Sequence, residues 1–164
     1  MSLIPVDIEA YLHTEAQLRQ AIEGLTEEQL KWKAAPESWS VTEVLGHLAD
    51  HNIVVSFRIR EILSGSSARL PAFSQDSWVA GQYSNTGSAS DILDAFRALL
   101  AYNSLLFRRL SVEDWKKTGV NFKGETVALA AIIPAFVIHV QRHLAQIQRI
   151  RSGESASRNS SRAI

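Results

Sequence analysis

The 164-residue sequence contains no cysteine, and it has no excess of either charge sign, since 17 basic residues balance 17 acidic ones. Without cysteine the chain can form no disulfide, and it offers neither a thiolate nucleophile nor a thiolate metal ligand. The balanced charge gives no overall attraction to nucleic acid or to anionic lipid, so we expect no nucleic-acid partner. Long hydrophobic runs are also lacking, and we expect no membrane span.

The N-terminal residues lack both the basic start and the apolar stretch of a secretory signal peptide, so we expect a cytoplasmic protein. Hydrophobic residues make up 46% of the chain and charged residues 21%, which is ordinary for a globular protein. We expect one domain over residues 1–152. The polar, serine-rich residues 153–164 are expected to be a disordered tail.

Apolar residues that recur every three or four positions predict four long amphipathic helices. Their expected ranges are 8–25, 41–63, 91–110 and 127–151, with Asp7, Ser40, Ser90 and Thr126 as the N-caps. Ser40 and Glu43 form the S-x-x-E pattern of a capping box, and Trp39 before them is placed to pack on the first turn. Pro134 falls inside the fourth helix and should bend it. Short helical turns are expected after Thr26 and Ser111.

The connection between the second and third long helices, residues 64–87, is long and has little periodicity. It carries the aromatic residues Phe73, Trp78 and Tyr83, so we expect it to pack over the helices, where it could cover the mouth of a site. No strand pattern is visible. The predicted fold is therefore all-α, a four-helix bundle of the up-down-down-up type with a long crossover between helices 2 and 3.

Four of the five histidines form two i,i+4 pairs, His47 with His51 and His139 with His143, on two different predicted helices. Side chains four residues apart share a helix face, so each pair can point toward one place. We interpret His47, His139 and His143 as three neutral ligands of a divalent metal, with a fourth position open to water. The pattern suits zinc, and nickel or another divalent ion is the alternative. A metal-bound water or thiol would then be the reactive group. The alternative is that these histidines are exposed or are hydrogen-bonded in the core.

Other polar residues near the predicted site allow more than one interpretation. His51 could be a fourth ligand, a base beside the metal, or an exposed residue. Asp50 could orient a ligand imidazole or lie on the surface, and Arg58 could meet an anionic substrate or be a solvated surface arginine. Asn103 is either a hydrogen-bonded core residue or a pocket residue. His13, without an i,i+4 partner, is expected at the surface or its boundary.

Several segments of the chain resemble the DinB/YfiT-like superfamily. Residues 39–50 (WSVTEVLGHLAD), with Arg58 and Ile59 beyond them, are similar to its second-helix signature, and residues 70–80 are similar to the crossover of its DinB-like subgroup. Residues 110–115 resemble the turn between the third and fourth helices. Residues 139–147 match the terminal H-x-x-x-H-L-x-Q-I signature. The chain departs from the family pattern at Arg142, where many relatives have histidine, and at Asn52 and Val140, where acids are common.

The resemblance implies a four-helix bundle with a divalent metal, usually zinc or nickel, on a histidine triad at His47, His139 and His143. It implies a small-molecule substrate, because related enzymes are thiol-dependent S-transferases and isomerases or metal-dependent hydrolases. Low-molecular-weight thiol S-transfer or hydrolysis by metal-bound hydroxide is the expected activity, with a thiol as co-substrate in the first case. Many relatives are dimers, so a homodimer is expected. The alternative is a non-catalytic, stress-related metal-binding or interaction bundle.

Overall fold

The computed structural model describes residues 4–153. Within them lie the helices α1 (Ile8–Ile22), α2 (Glu27–Lys31), α3 (Val41–Leu63), α4 (Gln75–Gly81), α5 (Ala89–Phe107), α6 (Val112–Trp115) and α7 (Leu129–Arg151), the strands β1 (Thr118–Val120) and β2 (Thr126–Ala128), and a 3₁₀ turn at Ser84–Thr86. The four long helices α1, α3, α5 and α7 form a bundle, which confirms the predicted all-α four-helix fold. Apart from Gly153, the predicted disordered tail lies outside the described residues.

Each long helix packs against two others. Helices α1 and α3 both contact α5 and α7, so α1 and α3 occupy opposite corners of the bundle. Cross-helix contacts give the helix directions; they are Tyr11–Asn103 and Arg19–Asp94 between α1 and α5, Gln17–Gln141 and Ala21–Arg151 between α1 and α7, and His47–His143 and His51–Phe136 between α3 and α7. Helix α7 therefore runs parallel to α1, while α3 and α5 run the opposite way. The predicted up-down-down-up topology is confirmed.

The helix starts follow from side-chain caps, with one correction. The Ser40 hydroxyl accepts from the Glu43 backbone, and the Glu43 carboxylate accepts in return, so the predicted capping box is present. Helix α5, however, begins two residues earlier than expected, because the Ser88 hydroxyl accepts from the Asp91 backbone N–H and makes Ser88 the cap. Helix α1 ends at Ile22 rather than near residue 25, ahead of Gly24, whose φ of 80° is incompatible with continued helix.

The expectation of no strands was wrong. Strands β1 and β2 form an antiparallel hairpin in which Thr126 pairs with Val120, so Thr126 is a strand residue and not the cap of the last helix. That helix begins at Leu129. The Asn121 side chain accepts from two backbone N–H groups of the turn, and Gly124 supplies a left-handed φ of 83°. These local preferences close the hairpin ahead of the last helix.

The long crossover between α3 and α5 packs on the bundle through buried Leu70 and Val79. The Leu70 backbone N–H also donates to the Val120 carbonyl at 2.7 Å, which joins the crossover to the hairpin. Phe73 packs edge-on against Trp78, whereas Tyr83 is largely exposed. Pro134 lies inside α7 as expected. In the part of the chain that the structure describes, no helix is both long enough and apolar enough to cross a membrane.

Candidate metal centre

Helices α3 and α7 bring three histidines together inside the bundle. His47 comes from α3, while His139 and His143 lie one turn apart on α7, so that both face α3. The Nε2 atom of His139 is 3.4 Å from Nε2 of His47 and 3.2 Å from Nε2 of His143. One ring nitrogen from each of the three lies within 4.8 Å of the others. All three side chains are buried.

This spacing fits a shared divalent ion. Imidazole nitrogens that bind a tetrahedral metal at about 2.0–2.1 Å lie about 3.3 Å from one another, close to the two distances measured here. Two imidazole nitrogens facing each other without an ion can form at most one hydrogen bond, and only when one of them carries a proton. The cluster of nitrogen atoms therefore has the donor chemistry and the separation that a metal site requires.

The electrostatics of the site keep the imidazoles neutral. Burial lowers the pKa of His47 to about 2, with smaller contributions from His143 and His51. Burial also lowers the pKa of His139 and of His143 below the ordinary value. Metal binding needs an unprotonated ring nitrogen, so at neutral pH these side chains have the correct form without losing a proton.

Gln146 sets the tautomer of one of the three rings. Its Oε1 atom accepts a hydrogen bond of 2.7 Å from Nδ1 of His143, so Nδ1 carries the proton and the Nε2 lone pair faces the cluster. The sequence reasoning missed this residue, although a hydrogen-bonding side chain three positions after His143 was the available signal. Among the described residues, Nδ1 of His47 and Nδ1 of His139 have no hydrogen-bond partner.

Aromatic rings enclose the cluster. The indole of Trp39 lies 5.0 Å from the His47 ring and 6.5 Å from the His143 ring, measured between centroids. Phe73 of the crossover stacks on His47 at 6.0 Å. Trp39 was expected to pack on the start of α3, but its contact with the histidines was not foreseen. These rings contribute to the burial of the imidazoles, none of which is more than 3% exposed.

His51 lies beside the cluster and is not one of its members. Its ring centroid is 3.8 Å from that of His139, and it stacks on Phe136 at 5.7 Å. The side chain is only 3% exposed, so the interpretation of His51 as an exposed residue is not borne out. Neither ring nitrogen has a hydrogen-bond partner among the described residues. Burial, followed by the charge of Arg58, lowers the pKa of His51 to about 3.

Asp50 is turned away from the imidazoles. Its carboxylate accepts from Nε2 of Gln82 at 2.9 Å, and it makes no hydrogen bond to a histidine among the described residues. Asp50 is nevertheless buried, so it is not a surface aspartate either. Burial raises its pKa, while the hydrogen bond from Gln82 opposes that rise.

Asn103 belongs to the core and not to the site. Its amide nitrogen donates to the Tyr11 hydroxyl at 3.0 Å and to the Ser56 hydroxyl at 2.8 Å, and its carbonyl oxygen accepts from Arg60 at 2.9 Å. These bonds satisfy a buried amide between α1, α3 and α5. The core alternative is therefore the one that the structure supports. His13 is exposed, as expected.

Arg58 is buried, contrary to the alternative of a solvated surface arginine. It is 5% exposed, and its Nη2 atom donates to the Pro71 carbonyl at 2.9 Å. It lines a cavity of about 360 Å³ that also reaches His51 and Arg142. The crossover covers Arg58, and a sequence pattern cannot show where such an irregular segment lies.

Comparisons with known proteins agree with this fold. The DinB superfamily model matches residues 10–147. A candidate metal-dependent hydrolase from Oceanobacillus iheyensis is 24% identical over 153 residues, which are 92% of this chain and 84% of that protein. YfiT of Bacillus subtilis, also a candidate metal-dependent hydrolase, is 25% identical over 136 residues, which are 82% of this chain and 76% of YfiT.

Solved structures show the same architecture. The structure of YfiT, described as a four-helix bundle of unusual topology, matches with a TM-score of 0.81 at 25% identity and covers 90% of this chain and 86% of YfiT. A mycothiol-dependent maleylpyruvate isomerase matches with a TM-score of 0.67 over 90% of this chain and 63% of its own. Its 13% identity shows a shared fold alone. Because the family model covers most of the sequence and the bundle agrees with it, this chain belongs to the DinB superfamily.

Proposed function

We propose that this protein is a divalent-metal-dependent enzyme that acts on a small molecule, with the metal held by Nε2 of His47, His139 and His143. The observation that carries the proposal is that three buried, neutral imidazoles meet at one place. The Nε2 atom of His139 lies 3.4 Å from that of His47 and 3.2 Å from that of His143. Three histidines with no fourth protein ligand are typical of catalytic zinc sites, whereas structural sites have four.

The chemistry of the donors favours zinc or nickel. Nitrogen ligands suit these ions, whereas magnesium and calcium prefer oxygen ligands, and no carboxylate belongs to the nitrogen cluster among the described residues. A bound divalent ion would act as a Lewis acid that makes a thiol or a water acidic enough to attack at neutral pH.

The chain's own residues would prepare the site. Gln146 holds the His143 ring in the tautomer that leaves Nε2 free, and Trp39 and Phe73 contribute to the burial of the imidazoles. Because the protein has no cysteine, a thiol nucleophile would have to arrive as a small co-substrate. We therefore propose thiol S-transfer to an electrophile as the first activity and hydrolysis as its close variant. Only the hydrolysis agrees with the names of the relatives from Bacillus and Oceanobacillus, which describe candidate metal-dependent hydrolases.

Elemental analysis of the purified protein tests the site. We expect about one equivalent of zinc or nickel in the wild type, and loss of that metal in His47→Ala, His139→Ala and His143→Ala, with helical circular dichroism largely kept. His13→Ala is the matched control, since His13 is exposed and lies outside the cluster. A triple-histidine variant that retains one equivalent of metal would exclude this site.

Activity assays with and without chelator test the reaction. The metal-loaded protein should transfer small thiols to alkylating electrophiles or hydrolyse simple esters and amides, and added chelator should abolish that turnover. Restoring the metal should restore the activity.

A second candidate is a non-catalytic metal-binding bundle. It is favoured by the position of His51, which lines the cavity while none of the three cluster histidines does so. In that case metal would raise the melting temperature without producing turnover on any substrate of the panel.

A further inference from the structure

A cavity lies between α3, α7 and the hairpin, directly beside the histidine cluster. Along α3 it is lined by His51, Val55 and Arg58, which are spaced as one face of a helix. Seven residues of helix span about 10 Å, so the cavity runs about that far from His51, which contacts His139, to Arg58. Its volume of about 360 Å³ is near the lower end of small-molecule sites, about 300–1,000 Å³.

Basic side chains dominate the charged part of this cavity. Arg58 lies on α3, Arg142 on α7 and Lys123 in the hairpin turn, against a single acid, Glu125, whose carboxylate accepts from Nδ2 of Asn121. A guanidinium stays protonated even when buried and presents a planar set of donors that matches a carboxylate. The cavity therefore offers one buried cation on α3 and a second cation on α7.

The cavity adjoins the histidine cluster through His51. The His51 ring lies 3.8 Å from the His139 ring, measured between centroids, and His51 lines the same cavity as the two arginines. A ligand bound between Arg58 and Arg142 could therefore extend toward the cluster.

The rest of the lining is apolar. It consists of Leu70 from the crossover, Phe122 and Val127 from the hairpin, and Ile132 and Phe136 from α7. A purely anionic ligand such as phosphate would leave these surfaces without a partner. A ligand with an apolar body and one anionic end would match both parts of the cavity.

We propose that this cavity binds the substrate through a carboxylate placed between Arg58 and Arg142, with an apolar body whose reacting end lies toward His51 and the histidine cluster. This deepens the proposed function and rests on it, since it specifies the substrate class of the same site. Arg142 and Arg58 are then specificity-determining residues that bind the substrate's charge.

A matched pair of esters tests the proposal on metal-loaded protein: neutral 4-nitrophenyl butyrate and the mono-4-nitrophenyl ester of glutaric acid, which carries a carboxylate. The wild type should prefer the acidic ester in kcat/KM. Arg142→Gln should reduce that preference at least about tenfold, through KM, because one charge-assisted hydrogen bond is lost. Arg109→Gln, an exposed arginine outside the cavity, is the charge-matched control.

A direct binding measurement separates this inference from the catalytic one. Calorimetric titration of metal-loaded protein with benzoate and with benzamide should show tighter binding of benzoate. Its affinity should fall in Arg142→Gln and fall less in Arg58→Lys, which retains the buried charge without the planar donors. Turnover of the neutral ester with no charge preference and equal binding of the two probes would overturn the inference and leave the proposed function standing. If benzoate binding depends on Arg142 but no substrate is turned over, the result would support the anion site and contradict the proposed enzymatic function.

Discussion

At the scale of single residues, the site depends on hydrogen bonds that orient imidazoles. The spacing of His47, His139 and His143 allowed two interpretations, a shared metal site or exposed and core residues, although i,i+4 pairs on amphipathic helices have a defined face. It could not predict the partners of those rings. Gln146 accepts from His143, whereas Asp50, interpreted as either an imidazole partner or a surface residue, accepts from Gln82 of the crossover. A side chain's partner depends on which neighbour arrives, and sequence periodicity does not contain that information.

Gln146→Leu should weaken metal binding by about 10–100-fold, because His143 loses the acceptor that fixes its tautomer and orientation. Competition with a chromogenic chelator measures the affinity. Gln146→Glu should keep it, since a carboxylate oxygen can replace the amide oxygen. Gln148→Leu, at an exposed position of the same helix, provides the control. Unchanged affinity in Gln146→Leu would show that the bond does not orient the ligand.

At the scale of elements, strong periodicity and capping boxes predicted the long helices well. The short strands, whose sequence signals are weak, were not predicted. Three-residue strands are too short for alternation to be visible, so the hairpin was missed. Thr126 precedes an apolar run. Threonine is common both as a helix N-cap and, because it is β-branched, in strands, so its identity does not decide between the two. The pairing of Thr126 with Val120 decides between them, and it depends on a turn at Asn121 and Gly124.

Ser40→Ala should lower the free energy of unfolding by about 1–2 kcal/mol. The change removes the cap of α3, and it also removes the hydrogen bond that the Ser40 hydroxyl donates to Asn85 at 2.5 Å. Urea denaturation followed by circular dichroism measures the effect. Ser111→Ala removes a cap from the four-residue helix α6 at an exposed site. It should lower the free energy of unfolding by less than Ser40→Ala does. Equal losses in the two variants would contradict a special role for the start of α3.

At the scale of the whole molecule, we expect the histidine cluster to make stability depend on metal and on pH. The family, the bundle and its topology were predictable because the sequence carries them in long segments. The substrate class could not be predicted from the sequence, because the proposed binding cavity is formed by three separate parts of the chain. The homodimer and the cytoplasmic location stay predictions, and sedimentation would test the first.

Metal should raise the melting temperature, because an ion that binds only the folded state stabilises it by RT ln(1 + [metal]/Kd), or about 2.7 kcal/mol at 100 times Kd. Differential scanning calorimetry with added zinc, then with chelator, measures the shift. The shift should disappear in His139→Ala and persist in His13→Ala. A shift that survives in His139→Ala would place the stabilising ion elsewhere.

The metal-free protein should lose stability as the pH falls below about 6.5. His47 and His51 have pKa values of about 2 and about 3 in the folded protein, so below pH 6.5 the unfolded chain takes up protons that the folded chain does not. Above pH 6.5 neither state binds them, and this contribution is fully present. The loss approaches about 1.4 kcal/mol per pH unit for each such histidine. Urea midpoints between pH 7.5 and 4.5 measure it, and His51→Phe should flatten the slope.

The cluster joins residues 92 positions apart in the chain, His47 on the second long helix and His139 on the last. A chain whose last helix α7 has not yet packed on α3 therefore has no triad to offer an ion, however much of the rest of the bundle has formed. At the proposed site, ion uptake would thus report the docking of the last helix.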